Sequence, residues 1–236
     1  MCVNVSIVAC PDYGPQTAKA ALEAVLEPLG GLNWVQPGMK IAVKANLVAR
    51  MKPETAAATH PVLVTELCRM LVGRGAQVVV GDSPGGPFTA AWVGGIYSGT
   101  GMRMVEESGA KLNSNYSTCE VSFPEGNTVK SFPFTSWLLE ADAVIDFAKL
   151  KTHGMAGMTC AVKNFFGVIP GTKKAGISLY VPQHGGLLRH ALRPRRLRQA
   201  QAHPGGRSAV HGGQWSNPGQ AQAHGRPARG GYAIQR

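Results

Sequence analysis

The sequence predicts an α/β fold in which helices flank a mostly parallel sheet, with one small β-hairpin attached. Short apolar segments of strand type alternate along the chain with segments whose apolar residues recur at helical spacing. Polar or glycine-rich residues directly follow several predicted strands, which is typical of parallel sheets that bind a ligand at one edge. Because the pattern stops near residue 182, we expect the sheet to be incomplete at its C-terminal side.

Glycine and proline mark the bounds of the elements in the first part of the chain. Gly30-Gly31 follows the first helical segment, and Pro61 suits the first turn of the second, which Thr59 or His60 would cap. The expected elements are, in order, a strand over 3–9, a helix over 17–29, a strand over 40–48, a helix from about residue 60 to residue 72, and a strand over 77–80.

The second part of the chain is less regular until residue 119. The segment 88–118 predicts only one helix, around 102–108. The runs 119–123 and 128–132 flank the turn-forming sequence PEGN and predict the hairpin. Ala143–Gly171 then predicts a buried strand, a cationic turn and a small-residue helix that ends near Lys163-Asn164.

The loop GDSPGG, which begins at Gly81, follows a predicted strand and could bring backbone N–H groups close to a ligand. The loop lacks both the GxxxxGK[ST] spacing and the GxGxxG spacing. Nucleotide binding therefore has no support from a motif.

Several polar side chains follow or end predicted strands, and a parallel sheet gathers such strand ends at one edge. Lysines there would hold a carboxylate or a phosphate as point charges, and histidine would move a proton near neutral pH. Asp82 could act as a base or a metal ligand, although no metal site is predicted. The candidate catalytic residues are His60, Asp82 and His153, and the candidate ligand-binding residues are Lys44, Asn46, Ser83, Lys149, Lys151, Lys163 and Asn164.

Each of these residues also has a purely structural interpretation. His60 could only cap a helix, Asp82 and Ser83 could only shape a turn, and Lys44 could extend from a strand end into solvent. The functional hypothesis depends on several of these groups meeting in one place, because no single one of them is decisive.

The cysteines and the apolar segments bear on compartment and cofactors. The chain contains no apolar run of the roughly 20 residues that cross a membrane, and its N-terminus lacks the basic start of a signal peptide. We therefore expect a cytoplasmic protein that does not insert into a membrane. The five cysteines contain no CxxC pair, which argues against a zinc or iron–sulfur loop; they are Cys2, Cys10, Cys68, Cys119 and Cys160.

The net charge of +11 is concentrated at the C-terminus. Residues 183–236 contain nine arginines, no lysine and no acidic residue, which leaves about +2 for residues 1–182. The later segment is dominated by Arg, Gly, Ala, Pro, His and Gln and has too few apolar residues to form a core. The sequence thus predicts a folded domain over 1–182 and a disordered tail over 183–236.

Three segments of the chain resemble the DUF362 family, a group of bacterial and archaeal proteins of undefined biochemistry. They are VKANLV, THPVLVTELCRMLVGRGAQVVVGDSPGG and AVIDFAKLKTHGMAGMTCAVKNFFGVIPG. The resemblance covers roughly residues 3–182 and is most specific over 143–171. Where the family pattern has Lys-Pro-Asn, this chain has Lys44-Ala45-Asn46. Many relatives also carry a ferredoxin-like module with 4Fe–4S clusters, but this chain has no cysteine after Cys160 and no binding motif for such a cluster.

The resemblance also suggests an origin for the tail. Relatives continue with folded α/β structure beyond this point, whereas the composition after Pro182 is typical of an out-of-frame translation of GC-rich DNA. We favour a truncated, frameshifted domain over an Arg-rich nucleic-acid-binding tail, because the arginines follow no periodic face and only Trp215 and Tyr232 could stack on bases.

The leading hypothesis is a protein that binds a small anionic ligand, with acid–base chemistry on a carboxylate as the first choice and the reaction left open. The first alternative is a non-catalytic accessory protein of iron–sulfur or electron-transfer metabolism, which would have a redox partner protein. The second alternative is nucleic-acid binding through the tail.

Overall fold

A computed structural model provides the structure of the protein. It describes residues 5–122, 124, 130–154 and 157–174 and, as backbone, two strands at 209–213 and 230–235.

The main sheet has the strand order β1-β11-β10-β7-β2-β3-β4. Neighbouring strands from β10 through β7, β2 and β3 to β4 run parallel, whereas β11 is antiparallel to both β10 and β1. The predicted mostly parallel sheet is therefore confirmed. Its strands are β1 (Val5–Cys10), β2 (Lys40–Ala45), β3 (Gln77–Gly81), β4 (Lys111–Leu112), β7 (Ala143–Ala148), β10 (Ala209–Gly213) and β11 (Gly230–Gln235).

Helices cover one face of this sheet and build the larger core. The two long helices are α1 (Pro15–Leu26) and α2 (Pro61–Val72). Each has a row of buried apolar residues, which includes Leu22 and Val25 in α1 and Leu67 in α2. Those rows pack on alternate residues of the central strands, such as Val43 in β2 and Phe147 in β7. The helix α3 (Ala90–Gly99) and a 3-10 helix at Met102–Ser108 complete this core.

A hairpin, β5 (Thr118–Ser122) and β6 (Ser131–Thr135), and the short helix α4 (Ser136–Leu139) contribute to the opposite face. Phe132, Trp137 and Val168 form a second apolar cluster there around Ala42. Strand residues point alternately to the two faces, so Lys44 shares this second face with Ala42.

The sequence did not predict α3, and the second hairpin strand begins three residues later than expected. Gly94 and Gly95 weaken the helical signal of α3, and Thr89 caps it by accepting a hydrogen bond from the Trp92 N–H at 3.4 Å. In the hairpin, the alternate burial of Phe132 and Phe134 fixes which residues face inward.

The predicted small-residue helix after residue 152 is wrong. The chain instead forms a second hairpin, β8 (Lys151–His153) and β9 (Gly157–Thr159), followed by the one-turn helix α5 (Ala161–Asn164) and a 3-10 turn at Phe165–Val168. Gly157 adopts a φ of +67°, which a hairpin turn accommodates and a helix does not.

Within 183–236 the structure describes only the strands β10 and β11, so the division between a domain over 1–182 and a disordered tail stays a prediction. Among the residues that the structure describes, none of the helices has both the length and the apolar character needed to cross a bilayer.

Candidate functional site

Three adjacent strands bring charged residues to one place. Lys44 near the end of β2 is the register partner of Asp146 in β7 on one side and of Gly81 in β3 on the other. Asp82 follows Gly81 directly. Because parallel strands end at the same edge, one lysine and two carboxyl groups lie side by side there, and all three are buried.

Lys44 and Asp82 form a buried ion pair. The Lys44 Nζ lies 2.5 Å from the Asp82 Oδ1, and the Lys44 side chain is fully buried. The second carboxylate oxygen of Asp82 accepts a hydrogen bond from the Leu47 N–H at 2.9 Å. The ammonium also donates to the Ala45 carbonyl at 2.9 Å. A buried ion pair is tolerated when its remaining hydrogen-bonding groups are satisfied in this way.

Asn164 connects the strand ends to the α5 turn. Its Oδ1 accepts hydrogen bonds from the Asn46 Nδ2 at 3.0 Å and from the Lys44 Nζ at 3.3 Å. Its Nδ2 donates to the Asp146 Oδ1 at 2.5 Å and to the Lys44 carbonyl at 3.2 Å. Both ends of the amide are engaged, so the orientation of Asn164 is fixed by its partners.

Gly167, in the turn after α5, packs directly over this ion pair. A Cβ at that position would lie 2.6 Å from the Asp82 Oδ1 and 2.6 Å from the Lys44 Nζ. Only a residue without a side chain allows the turn to approach so closely.

Lys151 joins the network to the loop that follows β2. Its ammonium donates to the Asn46 Oδ1 at 2.9 Å and to the Ala57 carbonyl at 2.5 Å. Burial lowers the pKa of Lys151 to about 8; the Asp82 carboxylate opposes this shift, and the positive charge of Lys163 adds to it. Burial and the charge of Lys163 therefore outweigh the stabilising effect of the Asp82 carboxylate on the Lys151 ammonium group.

The loop itself is held in a strained conformation. Val48 has a φ of 56°, which is unusual for a β-branched residue, and the Ala49 N–H closes a tight turn on the Leu47 carbonyl at 2.6 Å. Buried Thr59 fixes the far end of the loop, since its Oγ1 donates to the Phe147 carbonyl at 2.9 Å and accepts from the Asn46 N–H at 2.9 Å. The backbone strain is thus located beside the polar network.

His60 and Lys149 interact electrostatically outside this hydrogen-bonded network. The His60 ring stacks on Tyr13 with centroids 3.6 Å apart, and its buried Nδ1 has no hydrogen-bond partner among the described residues. Burial and then the charge of Lys149 lower the pKa of His60 to about 4, whereas Glu54 opposes the shift. Lys149 is only 1% exposed, and burial followed by the charge of Lys151 lowers its pKa to about 8.

Comparison with known proteins places the chain in a family. The model of a domain of unknown function, DUF362, matches residues 41–203. This chain belongs to the DUF362 family. The match includes the strand ends and the turn that form the polar network, so the resemblance stated from the sequence is confirmed.

The DUF362 protein is also similar to a curated relative, the thylakoid-associated protein sll1697 of Synechocystis sp. (strain ATCC 27184 / PCC 6803 / Kazusa). The two are 32% identical over 181 residues, which cover 74% of this chain and 53% of the relative. The chain therefore spans about half the length of the relative that it matches.

The described cysteines of this DUF362 protein do not fit a 4Fe–4S cluster. Cys10 and Cys68 are buried, and burial raises the pKa of the Cys68 thiol. The described ranges contain no group of three or more His, Cys, Asp and Glu side chains that could hold a metal ion. The alternative that rests on a cluster in relatives therefore finds no ligand set among these residues.

Several of the residues proposed from the sequence come together, and others take different positions. Lys44, Asn46, Asp82, Lys151 and Asn164 form one hydrogen-bonded group. The other five lie outside this group. Ser83 donates to the Ile169 carbonyl at 3.1 Å and accepts from the Gly171 N–H at 2.8 Å. The charge of Lys149 acts on His60, Lys163 is partly buried and precedes Asn164 in the chain, and His153 lies on β8 opposite Gly157.

Sequence reasoning missed two members of the site. Asp146 could have been noticed as a lone carboxyl inside the apolar run AVIDFA. Burial raises its pKa to about 7, against the opposing effects of Lys44 and of the Asn164 hydrogen bond, and its Oδ2 has no partner among the described residues. Lys174 donates to the carbonyls of Ser83 and, at 3.3 Å, Pro84, and the sequence gives no local signal for this contact.

The close approach of Gly167 predicts the effect of adding one methyl group. Gly167→Ala should lower the free energy of unfolding by roughly 2–4 kcal/mol, because the Cβ would separate the Lys44–Asp82 pair and leave buried charges uncompensated. Denaturant unfolding measures the change. The control is Gly154→Ala, whose Cβ would meet nothing within 4 Å; equal losses in both variants would contradict the prediction.

The raised pKa of Asp146 predicts how an Asp146→Asn variant responds to pH. Between the unfolded value of 3.8 and the folded value of about 7, the folded state binds more protons than the unfolded state, so Asp146 lowers stability as the pH rises. The free energy of unfolding of Asp146→Asn, taken relative to that of the wild type, should therefore increase by on the order of 2–4 kcal/mol between pH 4 and pH 7. Above pH 7 this difference should level off.

Urea unfolding from pH 4 to pH 8 measures this difference. Glu106→Gln makes the same change from carboxyl to amide at an exposed position and should show no such trend. A flat difference for Asp146→Asn would show that burial does not destabilise its ionised form.

Proposed function

We propose that this DUF362 protein binds a small anionic ligand, a carboxylate or a phosphate, at the lysines beside the Asn46–Asn164 network. The observation that carries the proposal is the pair of ammonium groups of Lys149, which is buried, and Lys151, which is partly buried; neither forms an ion pair with a described acidic residue. Charged groups are buried in this way at a large free-energy cost unless an opposite charge compensates them. A bound anion would supply that charge and raise the pKa of both lysines.

The same groups would carry acid–base chemistry on such a ligand. His60 is neutral at pH 7 because its pKa is about 4, and an anion bound beside Lys149 would raise that pKa toward the range in which an imidazole accepts a proton; Lys149 with a pKa of about 8 can donate one. His153, two residues beyond Lys151, is a second candidate proton carrier. Asp82 in this proposal holds Lys44 and the Leu47 N–H in place.

The cytoplasmic location and the alternatives from other classes stay predictions. The relative is named as thylakoid-associated, so cell fractionation rather than similarity must decide where this protein resides. A redox accessory role would require a partner that brings its own cluster. Nucleic-acid binding through 183–236 would disappear when that segment is removed and would depend steeply on salt.

Removal of one lysine charge tests the anion site. Phosphate at constant ionic strength should raise the melting temperature of the wild type by a few degrees, since a ligand at 100 times its Kd adds about 2.7 kcal/mol of stability. Lys151→Met keeps the length of the side chain and removes its charge, and should abolish most of this rise. The change in melting temperature with added phosphate is the measurement.

Lys111→Met is the matched control, because Lys111 is exposed on β4. It should respond to phosphate as the wild type does. If Lys151→Met and Lys149→Met both keep the full rise, phosphate binds elsewhere and the proposed site is wrong.

Anion binding should also weaken with rising pH. Lys149 and Lys151 lose their protons near pH 8 in the free protein, and Asp146 gains a negative charge near pH 7, so each change disfavours an anion. We expect the Kd for sulfate, whose own charge is constant over this range, to rise roughly ten-fold between pH 7 and pH 9. Isothermal titration calorimetry measures it; an affinity that is constant or increases with pH would count against the proposal.

A further inference from the structure

The lysines of the site form a row along the network rather than an isolated pair. Lys151 is hydrogen-bonded to Asn46, and Lys163 directly precedes Asn164, which holds Asn46. Lys174 lies at the other end, on the carbonyls of Ser83 and Pro84 that follow Asp82. Lys151 and Lys174 thus bind the two segments that follow the members of the ion pair, Asn46 after Lys44 and Ser83-Pro84 after Asp82.

Their electrostatic effects on one another follow the same order. Burial is the main cause of the lowered pKa values of Lys149, Lys151 and Lys174, and like charges add to it: Lys151 acts on Lys149, and Lys163 acts on Lys151 and Lys174, where Asp82 opposes the shift. The four ammonium groups are thus linked by repulsion between like charges, and Lys149 is buried while the other three lysines are partly buried.

The acidic groups nearby do not balance this charge. Asp82 is matched by Lys44, which leaves the four lysines of the row. Asp146, the register partner of Lys44 in β7, can offset one positive charge when it is ionised. Glu54 in the loop after β2, whose charge acts on His60, can offset one more. At least two positive charges then remain, and none of the described acidic residues forms an ion pair with a lysine of the row.

We infer that the ligand is a multiply charged anion with at least two negative charges on neighbouring oxygens, as in a phosphate ester or a dicarboxylate, held along Lys149, Lys151, Lys163 and Lys174. This inference rests on the proposed anion site and narrows its ligand class. The row contains no arginine, whose planar fork suits a single carboxylate, whereas separate lysines act as point charges around several oxygens. A monocarboxylate would leave at least one positive charge of the row uncompensated.

The test compares acetate, malonate and phosphate on the full chain by calorimetry, near neutral pH and at one ionic strength set with chloride. Malonate or phosphate should bind roughly 10–100-fold more tightly than acetate, and the tighter of the two identifies the ligand as a dicarboxylate or a phosphoryl group. Lys174→Met and Lys163→Met should each weaken dianion binding roughly ten-fold while changing acetate binding much less. Lys111→Met serves as the control for lost charge, and thermal unfolding confirms that each variant is folded.

The outcomes separate this inference from the proposal on which it rests. If acetate binds as tightly as malonate and phosphate, the anion site stands and the multiply charged ligand is wrong. If Lys163→Met and Lys174→Met leave dianion binding unchanged, the row does not hold the ligand and the inference is overturned as well. If none of the three anions binds, both the proposed function and this inference are wrong.

Discussion

The structure around the site depends on a buried ion pair between Lys44 and Asp82. A charge is stable in this location only when an opposite charge and hydrogen bonds replace water, and here the Leu47 N–H and the Ala45 carbonyl provide the remaining contacts. The pair therefore constrains the end of β2, the start of the glycine-rich loop and the turn above them. Gly167 is part of the same constraint, because the turn contacts both charged groups.

Asn164 extends that constraint across the chain. One amide group reaches the backbone of β2, the carboxyl of Asp146 in β7 and the amide of Asn46, which lies 118 residues earlier. Lys151 then attaches the strained loop after β2 to the same group. Such a network is stabilising only when its members are satisfied together, so the strands, the α5 turn and the loop are expected to form or to loosen as one unit.

The excess of positive charge around the network is the property that links the fold to the proposed function. Burial removes the lysines from water and lowers their pKa values, which is why an anion is the ligand that we propose for this site. Membership of the DUF362 family supplies no substrate, and the matched relative is about twice as long as the aligned part. The chemistry of the lysines, rather than the family, therefore carries the proposed function.

The sequence alone determined the strands β1, β2, β3 and β7, the helices α1 and α2, the mostly parallel sheet, the family, and the lysines that follow β7, because these depend on local periodicity and on motifs along the chain. It failed at the small-residue helix, where residues such as Ala and Met suit a helix but Gly157 turns the chain into a hairpin. Only the tertiary structure decided that Asp146 and Lys174 belong to the site. The alternation of side chains along a strand shows which of them share a face of the sheet, but it does not show what packs on that face. Contacts between residues about 90–120 positions apart depend on how the whole sheet packs.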